Sequence, residues 1–308
     1  MPKEFEICES VNDVIKYLSE LYETLDRKIE EEKDKGRLFS DYPIFLFRGQ
    51  PSCFYKLLPC VYREENLYKN EHNFFNKLYK NHCSEFKNDD STFDRLARMQ
   101  HYGLPTRLLD VTINPLIALY FACQPCYKTQ KDGSKFIDNS DASLFIFLLP
   151  ESYIKDSNSD SVSILSNLSR MEYREKELIL SGDDKKTKDE FFYLISKENQ
   201  LFSGDVFNIK DLPDFIFVEP KMDIERIKIQ SGAFILFKQN KEIPKKEIDL
   251  SYKDSHGNNQ RRKAYCREAR IPYASKSSIL KTLDRMNINE KYIFQDITHT
   301  ANYLKEIS

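Results

Sequence analysis

Gln100-His101-Tyr102-Gly103-Leu104-Pro105-Thr106-Arg107-Leu108-Leu109-Asp110-Val111-Thr112-Ile113-Asn114-Pro115 is the stretch on which the reading of this chain turns. Gly103 and Pro105 stop a helix predicted over 91–101. Asn114-Pro115 opens the next one: proline suits the first helical position, and the residue ahead of it is kept out of helical backbone. From Ile113 to Cys123 this second helix is apolar nearly all round, so it is expected to be buried. Few segments place so many hydrogen-bonding side chains between two helices. His101 can serve as acid, base or donor. Arg107 and Asp110 lie three apart and could pair. Thr112 and Asn114 stand at the mouth of the buried helix, a natural place to receive an anion or a ribose hydroxyl. The alternative is a structural knot in which Arg107, Asp110 and Asn114 satisfy buried backbone groups.

Upstream, Pro43–Phe47 (PIFLF) is a short apolar run that predicts a buried strand ending in Arg48-Gly49-Gln50. A guanidinium at a strand end offers a rigid fork of donors to phosphate or carboxylate. Gly49 would let a ligand approach the backbone. The competing reading pairs Arg48 with a local carboxylate. Downstream, strands are predicted at 144–149, 215–218, 226–230 and 233–237. The last two form a hairpin about Ser231-Gly232, with Gln230 turned into a site or closing the turn. Helices are expected at 10–36, 66–86, 163–180, 188–200, 275–286 and 298–305. The polar segment 238–262 is expected to be a mobile excursion. Helices and strands mix without a βαβ rhythm, which indicates an α+β fold with mainly antiparallel small sheets surrounded by helices.

The 308 residues, 40% hydrophobic and 31% charged, suffice for a sizeable core. A net charge of −2 provides no field to draw the chain onto nucleic acid or membrane. No apolar run approaches membrane-spanning length, and Met1–Ser10 lacks a signal core. Seven irregularly spaced cysteines read as reduced thiols, so a cytoplasmic location is expected. Cys123-Gln124-Pro125-Cys126 is a lone CxxC without a second ligand pair, and no metal is expected. Phosphate-binding glycine loops are absent from the sequence, as is a GxSxG elbow.

At these residues the chain resembles the FRG-domain family, named for a Phe-Arg-Gly motif that here is Phe47-Arg48-Gly49. Leu58-Pro59 with Arg63, the run Gln100 to Ala122, Arg226…Phe234 and Ile271…Leu304 match further landmarks, so the resemblance implies a single domain over 1–308. Val111 stands where the family usually carries a Trp, which would reshape the wall beside Thr112. Some members lie near defence or toxin–antitoxin loci, which implies an antitoxin or defence-system partner. A more distant resemblance is to ADP-ribosyltransferases of the Arg–Ser–Glu type, whose order is matched by Arg48-Gly49, then Thr112…Asn114-Pro115…Phe121, then Gln230. It implies NAD as substrate and a protein or nucleic-acid acceptor. Arg48, His101, Thr112 and Gln230 would be catalytic, and Arg48, Gly49, Gln50, Arg107, Asp110 and Asn114 would bind the nucleotide. Gln230 is neutral and cannot act as a base, which leaves Glu219 or Glu225 as substitutes. Two other functions compete: a non-catalytic nucleotide- or nucleic-acid-binding module using Arg48, Arg63, Arg107 and the basic run at Arg261, and a hydrolase or nuclease using His101 with Asp110.

Overall fold

A computed structural model of the chain describes residues 5–34, 42–130, 133–182, 184–200, 202, 208–221, 228–253, 259–260 and 262–294. Its first half contains β1 (Glu6–Ile7), α1 (Val11–Asp34), β2 (Pro43–Gln50), α2 (Glu65–Lys69), α3 (Glu71–Asn81), α4 (Thr92–His101), β3 (Leu108–Thr112) and α5 (Pro115–Cys123). There follow β4 (Tyr127–Thr129), β5 (Lys135–Ile137), β6 (Ala142–Pro150), β7 (Ile154–Asp156), α6 (Asp160–Asn167), α7 (Tyr173–Ser181) and α8 (Lys185–Ser196). The chain continues through β8 (Phe215–Glu219), β9 (Gly232–Phe237), β10 (Glu247–Asp249), β11 (Tyr252–Lys253), β12 (Asn259–Gln260) and β13 (Lys263–Ile271). Helices α9 (Tyr273–Arg285) and α10 (Glu290–Phe294) complete the described structure.

The fold is α+β, but in place of several small sheets one nine-stranded mixed sheet dominates. Its order is β1-β13-β6-β2-β3-β9-β8-β7, with β10 also on β13. Only the β1–β13 and β7–β8 pairs are parallel among these. Two minor ribbons, β4–β5 and β11–β12, stand apart. β2 pairs with β6 along its whole length, and β3 with β9. Between β2 and β3, however, a single residue pair is matched, Phe47 opposite Thr112. The sheet is therefore two half-sheets hinged at one point.

Side-chain alternation shows how the halves sit. Leu46, Phe145 and Phe147 from one half, and Leu109, Phe217, Ile235 and Phe237 from the other, form one shared core. The rings of Phe147 on β6 and Phe217 on β8 meet at 5.8 Å although three strands separate them in the sheet order. The halves thus curl toward each other. On the opposite face each half carries its own helices. Residues of α1, α5, α9 and α10 pack on Phe47, Leu144, Ile146 and Ile271, and residues of α3, α4, α6, α7 and α8 pack on Leu108, Ile216, Phe234 and Leu236.

Several predicted elements differ. The 66–86 helix divides at Asn70, whose backbone is not helical (φ −103°, ψ 7°). The 163–180 helix breaks at Met171, and α7 starts afresh from a capping box formed by Glu172 and Glu175. The 188–200 helix begins earlier, because Asp184 caps it by accepting from Thr187 N. The hairpin predicted over 226–237 is not formed. Lys228 and Ile229 are helical, Ser231 turns with φ 45°, and Arg226 lies outside the described residues. β9 already has β3 on one side and β8 on the other, so it has no free edge for a 226–230 strand. The segment 238–262 is not a loose excursion where it is described. β10 joins the sheet, and Ile243, Ile248 and Leu250 enter the shared core. The predicted helix at 298–305 lies outside the described residues.

Candidate functional site

The hinge between the half-sheets opens into a cavity of about 330 Å³. Phe47, Arg48 and Gly49 of β2 and Asp110, Val111 and Thr112 of β3 form one wall. Ala97, Gln100 and His101 of α4 and Ile117, Ala118 and Phe121 of α5 flank it, and Pro51, Gln124, Gln230 and Phe234 complete it. The location follows from the fold. Two helical layers belong to two half-sheets, and where the half-sheets diverge the layers diverge as well. A second cavity, of about 810 Å³, lies on the other side of the Phe47–Thr112 pair, among the first residues of β2, the end of β8 and the start of β9.

Arg48 occupies the hinge itself. Its Nη1 donates to Asp110 O at 2.7 Å, taking the place of a ladder hydrogen bond that the diverging strands no longer make. Its Nε is buried and has no partner. Burial lowers its pKa from the ordinary arginine value; Asp110 opposes that shift and the nearby Arg63 adds to it. The group stays cationic at neutral pH, since arginine does not deprotonate in proteins.

Asp110 lines the same cavity. Gln100 Nε2 donates to its Oδ1 at 2.8 Å, and Gln100 Oε1 in turn accepts from Thr106 Oγ1. A fixed amide therefore holds the carboxylate in place. His101, at the exposed C-terminal end of α4, lies against the cavity with its ring 5.1 Å from that of Tyr102. Gln230 lines it too; its main-chain O accepts from Thr112 Oγ1 at 2.5 Å, and its side-chain Nε2 donates to Ile293 O at 3.4 Å.

Other expected site residues have different duties. Thr112 borders the cavity, but its hydroxyl is engaged twice, donating to Gln230 O and accepting from Asn114 N at 3.0 Å. Asn114 does not line the cavity. Its Oδ1 caps α5 by accepting from Leu116 N at 3.0 Å and Ile117 N at 3.4 Å. Gln50 is buried away from the cavity and donates to Lys56 O at 3.2 Å. Gly49 lines the cavity, and on the side where a Cβ would stand it permits the close approach of α5: a Cβ there would lie 1.8 Å from Ala118 O and 2.5 Å from Ala122 N.

Arg107 does not pair with Asp110. The β3 strand that follows Arg107 sends positions three apart to opposite faces. Arg107 is fully buried and grips Glu71 with Nε–Oε1 2.9 Å and Nη2–Oε2 2.6 Å, while its Nη1 donates to the carbonyls of Leu165, Phe237 and Lys238. Lys176 Nζ completes the cluster at 2.5 Å from Glu71 Oε2. The structure thus gives Arg107 and Asn114 structural partners, and it brings Arg48, Gly49, His101, Asp110, Thr112 and Gln230 to the lining of one cavity. Glu219 lies at the second cavity, not the first, and Glu225 is outside the described residues. The sequence reading missed the role of Gln100. Its signal was the spacing to Asp110 across Gly103-Leu104-Pro105, which folds the end of α4 back beside β3. Among the described residues no three His, Cys, Asp or Glu side chains gather to hold a metal ion, and no helix is long and apolar enough to cross a membrane.

Residues 43–132 match the family model described as FRG domain. This segment runs from β2 to the β4–β5 ribbon and supplies every residue lining the hinge cavity among the described residues, apart from Gln230 and Phe234. The expected landmarks at 226–234 and 271–304 fall beyond the matched segment. No curated protein and no solved structure matches the chain.

Proposed function

We propose that the hinge cavity binds a nucleotide, that the nucleotide is NAD, and that the chain transfers or hydrolyses its ADP-ribosyl group. One observation supports this most. Arg48 lacks a salt bridge among the described residues, keeps a buried unpartnered Nε, and shares one cavity with an aromatic wall of Phe47, Phe121 and Phe234. A guanidinium with donors to spare suits a phosphate, and an aromatic wall suits a planar base. At about 330 Å³ the cavity lies near the lower limit for ligand sites, so it takes a nucleoside-sized portion and leaves the rest of a dinucleotide at the mouth.

Breaking the glycosidic bond of NAD builds oxocarbenium character at the ribose, which a nearby carboxylate stabilises. Asp110, oriented by Gln100, supplies that carboxylate in this reading, a role Gln230 cannot fill. Nicotinamide leaves with the bonding electron pair. The oxygen of water or of an acceptor hydroxyl bonds to the ribose carbon, and its proton passes to Asp110 or His101. In the same reading the chain is a cytoplasmic effector in bacterial defence, held in check by an antitoxin or defence-system partner and modifying a protein or nucleic acid.

The test is nicotinamide release and ligand-induced thermal stabilisation with NAD, measured on the full chain and on Arg48→Ala and Asp110→Asn. The expected result is turnover by the parent chain. Arg48→Ala loses ligand stabilisation, and Asp110→Asn keeps binding while turnover falls at least about 100-fold, the range for loss of an electrostatic or acid–base group. Binding without release in the parent chain assigns the non-catalytic module instead. No stabilisation by NAD or any mononucleotide overturns the nucleotide reading.

A further inference from the structure

The end of α4 is closed so that it governs a side chain of the cavity. Gly103 stands in left-handed backbone, φ 87°, its N–H donating to Gln100 O at 2.9 Å, and Leu104 N donates to Met99 O at 3.0 Å. These two bonds make a Schellman closure, in which a glycine bears no steric penalty. The chain reverses there, and Thr106, fully buried, returns against Gln100. Three hydrogen bonds then run in series. Leu108 N donates to Thr106 Oγ1 at 3.2 Å, Thr106 Oγ1 donates to Gln100 Oε1, and Gln100 Nε2 donates to Asp110 Oδ1 at 2.8 Å. The first member sets the direction. A main-chain N–H can only donate, so the Thr106 hydroxyl accepts there and has Gln100 Oε1 as the acceptor for its own proton. An ionised carboxylate can only accept, so the other end of the series asks for the same orientation of the amide. The reversed amide would set Oε1 against the carboxylate and strand a buried hydroxyl proton. Asp110 Oδ1 is thus occupied by a fixed N–H, while Oδ2 makes no hydrogen bond among the described residues. Gln100 and Asp110 line the hinge cavity; Thr106 does not.

We propose that Thr106 is a positioning residue of the hinge site: acting through Gln100, it holds Asp110 so that Oδ1 is taken by the protein and Oδ2 alone is offered to the ligand. The inference rests on the catalytic reading of the cavity and adds to it. The bonds made and broken at the ribose carbon are those already given: the acceptor oxygen bonds to it, and nicotinamide leaves with the electron pair. A proton that passes from the attacking oxygen to Asp110 goes to Oδ2, because Oδ1 already meets an N–H. The part of the ligand that Asp110 meets is therefore a hydrogen-bond donor or a developing positive charge.

The test compares the full parent chain with Thr106→Val, Thr106→Ala and Thr106→Ser. Valine keeps the volume and alanine leaves space, so the loss of the hydroxyl is read in whichever variant folds, and serine restores the hydroxyl. Nuclear magnetic resonance of chains carrying isotope-labelled glutamine follows the Gln100 side-chain amide, identified by its absence in Gln100→Leu. One amide proton is expected downfield in the parent, as a hydrogen bond to a carboxylate requires, and to lose that shift in Asp110→Asn. It is expected to lose it also in Thr106→Val and Thr106→Ala and to keep it in Thr106→Ser. Nicotinamide release from NAD is expected to fall about tenfold in kcat in the two variants without the hydroxyl, with KM within about twofold, because Thr106 acts through Asp110 and touches no ligand. Thr106→Ser is expected to stay within about twofold of the parent in both constants. A parent without the downfield signal, or a signal that persists when the hydroxyl is gone, overturns the inference. A freed amide with parental turnover overturns it as well. Should the parent release no nicotinamide, the catalytic reading of the cavity fails, and the amide signal alone decides whether Thr106 holds Asp110.

Discussion

At the scale of single residues, most of the chemistry was visible in the sequence, and its allocation was not. Arg48, Asp110, His101 and Gln230 reach one cavity. Arg107 and Asn114 belong to the same polar run and look equally suited to a ligand, yet a buried carboxylate claims one and a helix terminus the other. A side chain's type shows what it can bond to, and only its surroundings show what it does bond to. Gly49 illustrates this well. Its lack of a side chain suggested room for a ligand, whereas the room is filled by the backbone of α5. Gly49→Ala would drive a methyl into Ala118 O and Ala122 N, which are main-chain atoms and cannot rotate aside. Destabilisation of about 3 kcal/mol is expected, lowering the melting temperature by about 6–12 °C for a chain above 150 residues. Thermal denaturation checks it, and a melting temperature within about 1 °C of the parent would show that α5 does not press on this strand.

At the scale of elements, α5 was readable end to end. Asn114-Pro115 marked its start, its uniform apolarity marked its burial, and both features are present. Asn114→Ala removes the acceptor for two helix N–H groups and is expected to cost about 1 kcal/mol, within the range of a lost N-cap. Chemical denaturation measures it, and on the nucleotide reading proposed above the affinity of the cavity for its ligand should change little, because Asn114 stands off the cavity. Nothing local marks β3 as a strand. Leu108–Thr112 is only five residues long, carries a charge at its centre and sits between two strong helix signals. Its strand character comes from β9, which pairs with it along its full length. β9 lies more than a hundred positions downstream, where local periodicity carries no information about it. The failed hairpin has the same origin: alternation at 226–230 suggested a strand, but both edges of β9 were already occupied.

At the scale of the molecule, the Glu71–Arg107–Lys176 cluster ties α3 and α7 to the start of β3 and the end of β9 through wholly buried charges. Burial disfavours the charge on Glu71, but Arg107 and Lys176, with their hydrogen bonds, outweigh it and hold the carboxyl at about 2. A carboxyl held below its ordinary value of 4.5 binds fewer protons when folded than when unfolded. Its stabilising effect is therefore complete above about pH 4.5 and is lost as pH falls toward about 2. Denaturation followed from pH 6 downward should show stability falling across that window. Glu71→Gln should flatten the fall and lower stability at neutral pH, because two buried cations lose their counter-ion. A fall of unchanged steepness in the variant would place the acid lability elsewhere.

The sequence by itself determined the α+β class, the apolar strand before Arg48, the buried helix after Asn114 and the chemical kinds of group available to a site. Those features are local, set by periodicity, by caps and by proline and glycine backbone limits. The tertiary structure decided that two half-sheets share one core, that their strands are paired in register only at Phe47 and Thr112 among the described residues, and that a cavity opens beside that pair. Strand pairing and the closing of a core join residues far apart along the chain. Each pairing depends on which edges and faces the others have left free, and no short stretch of sequence records that choice.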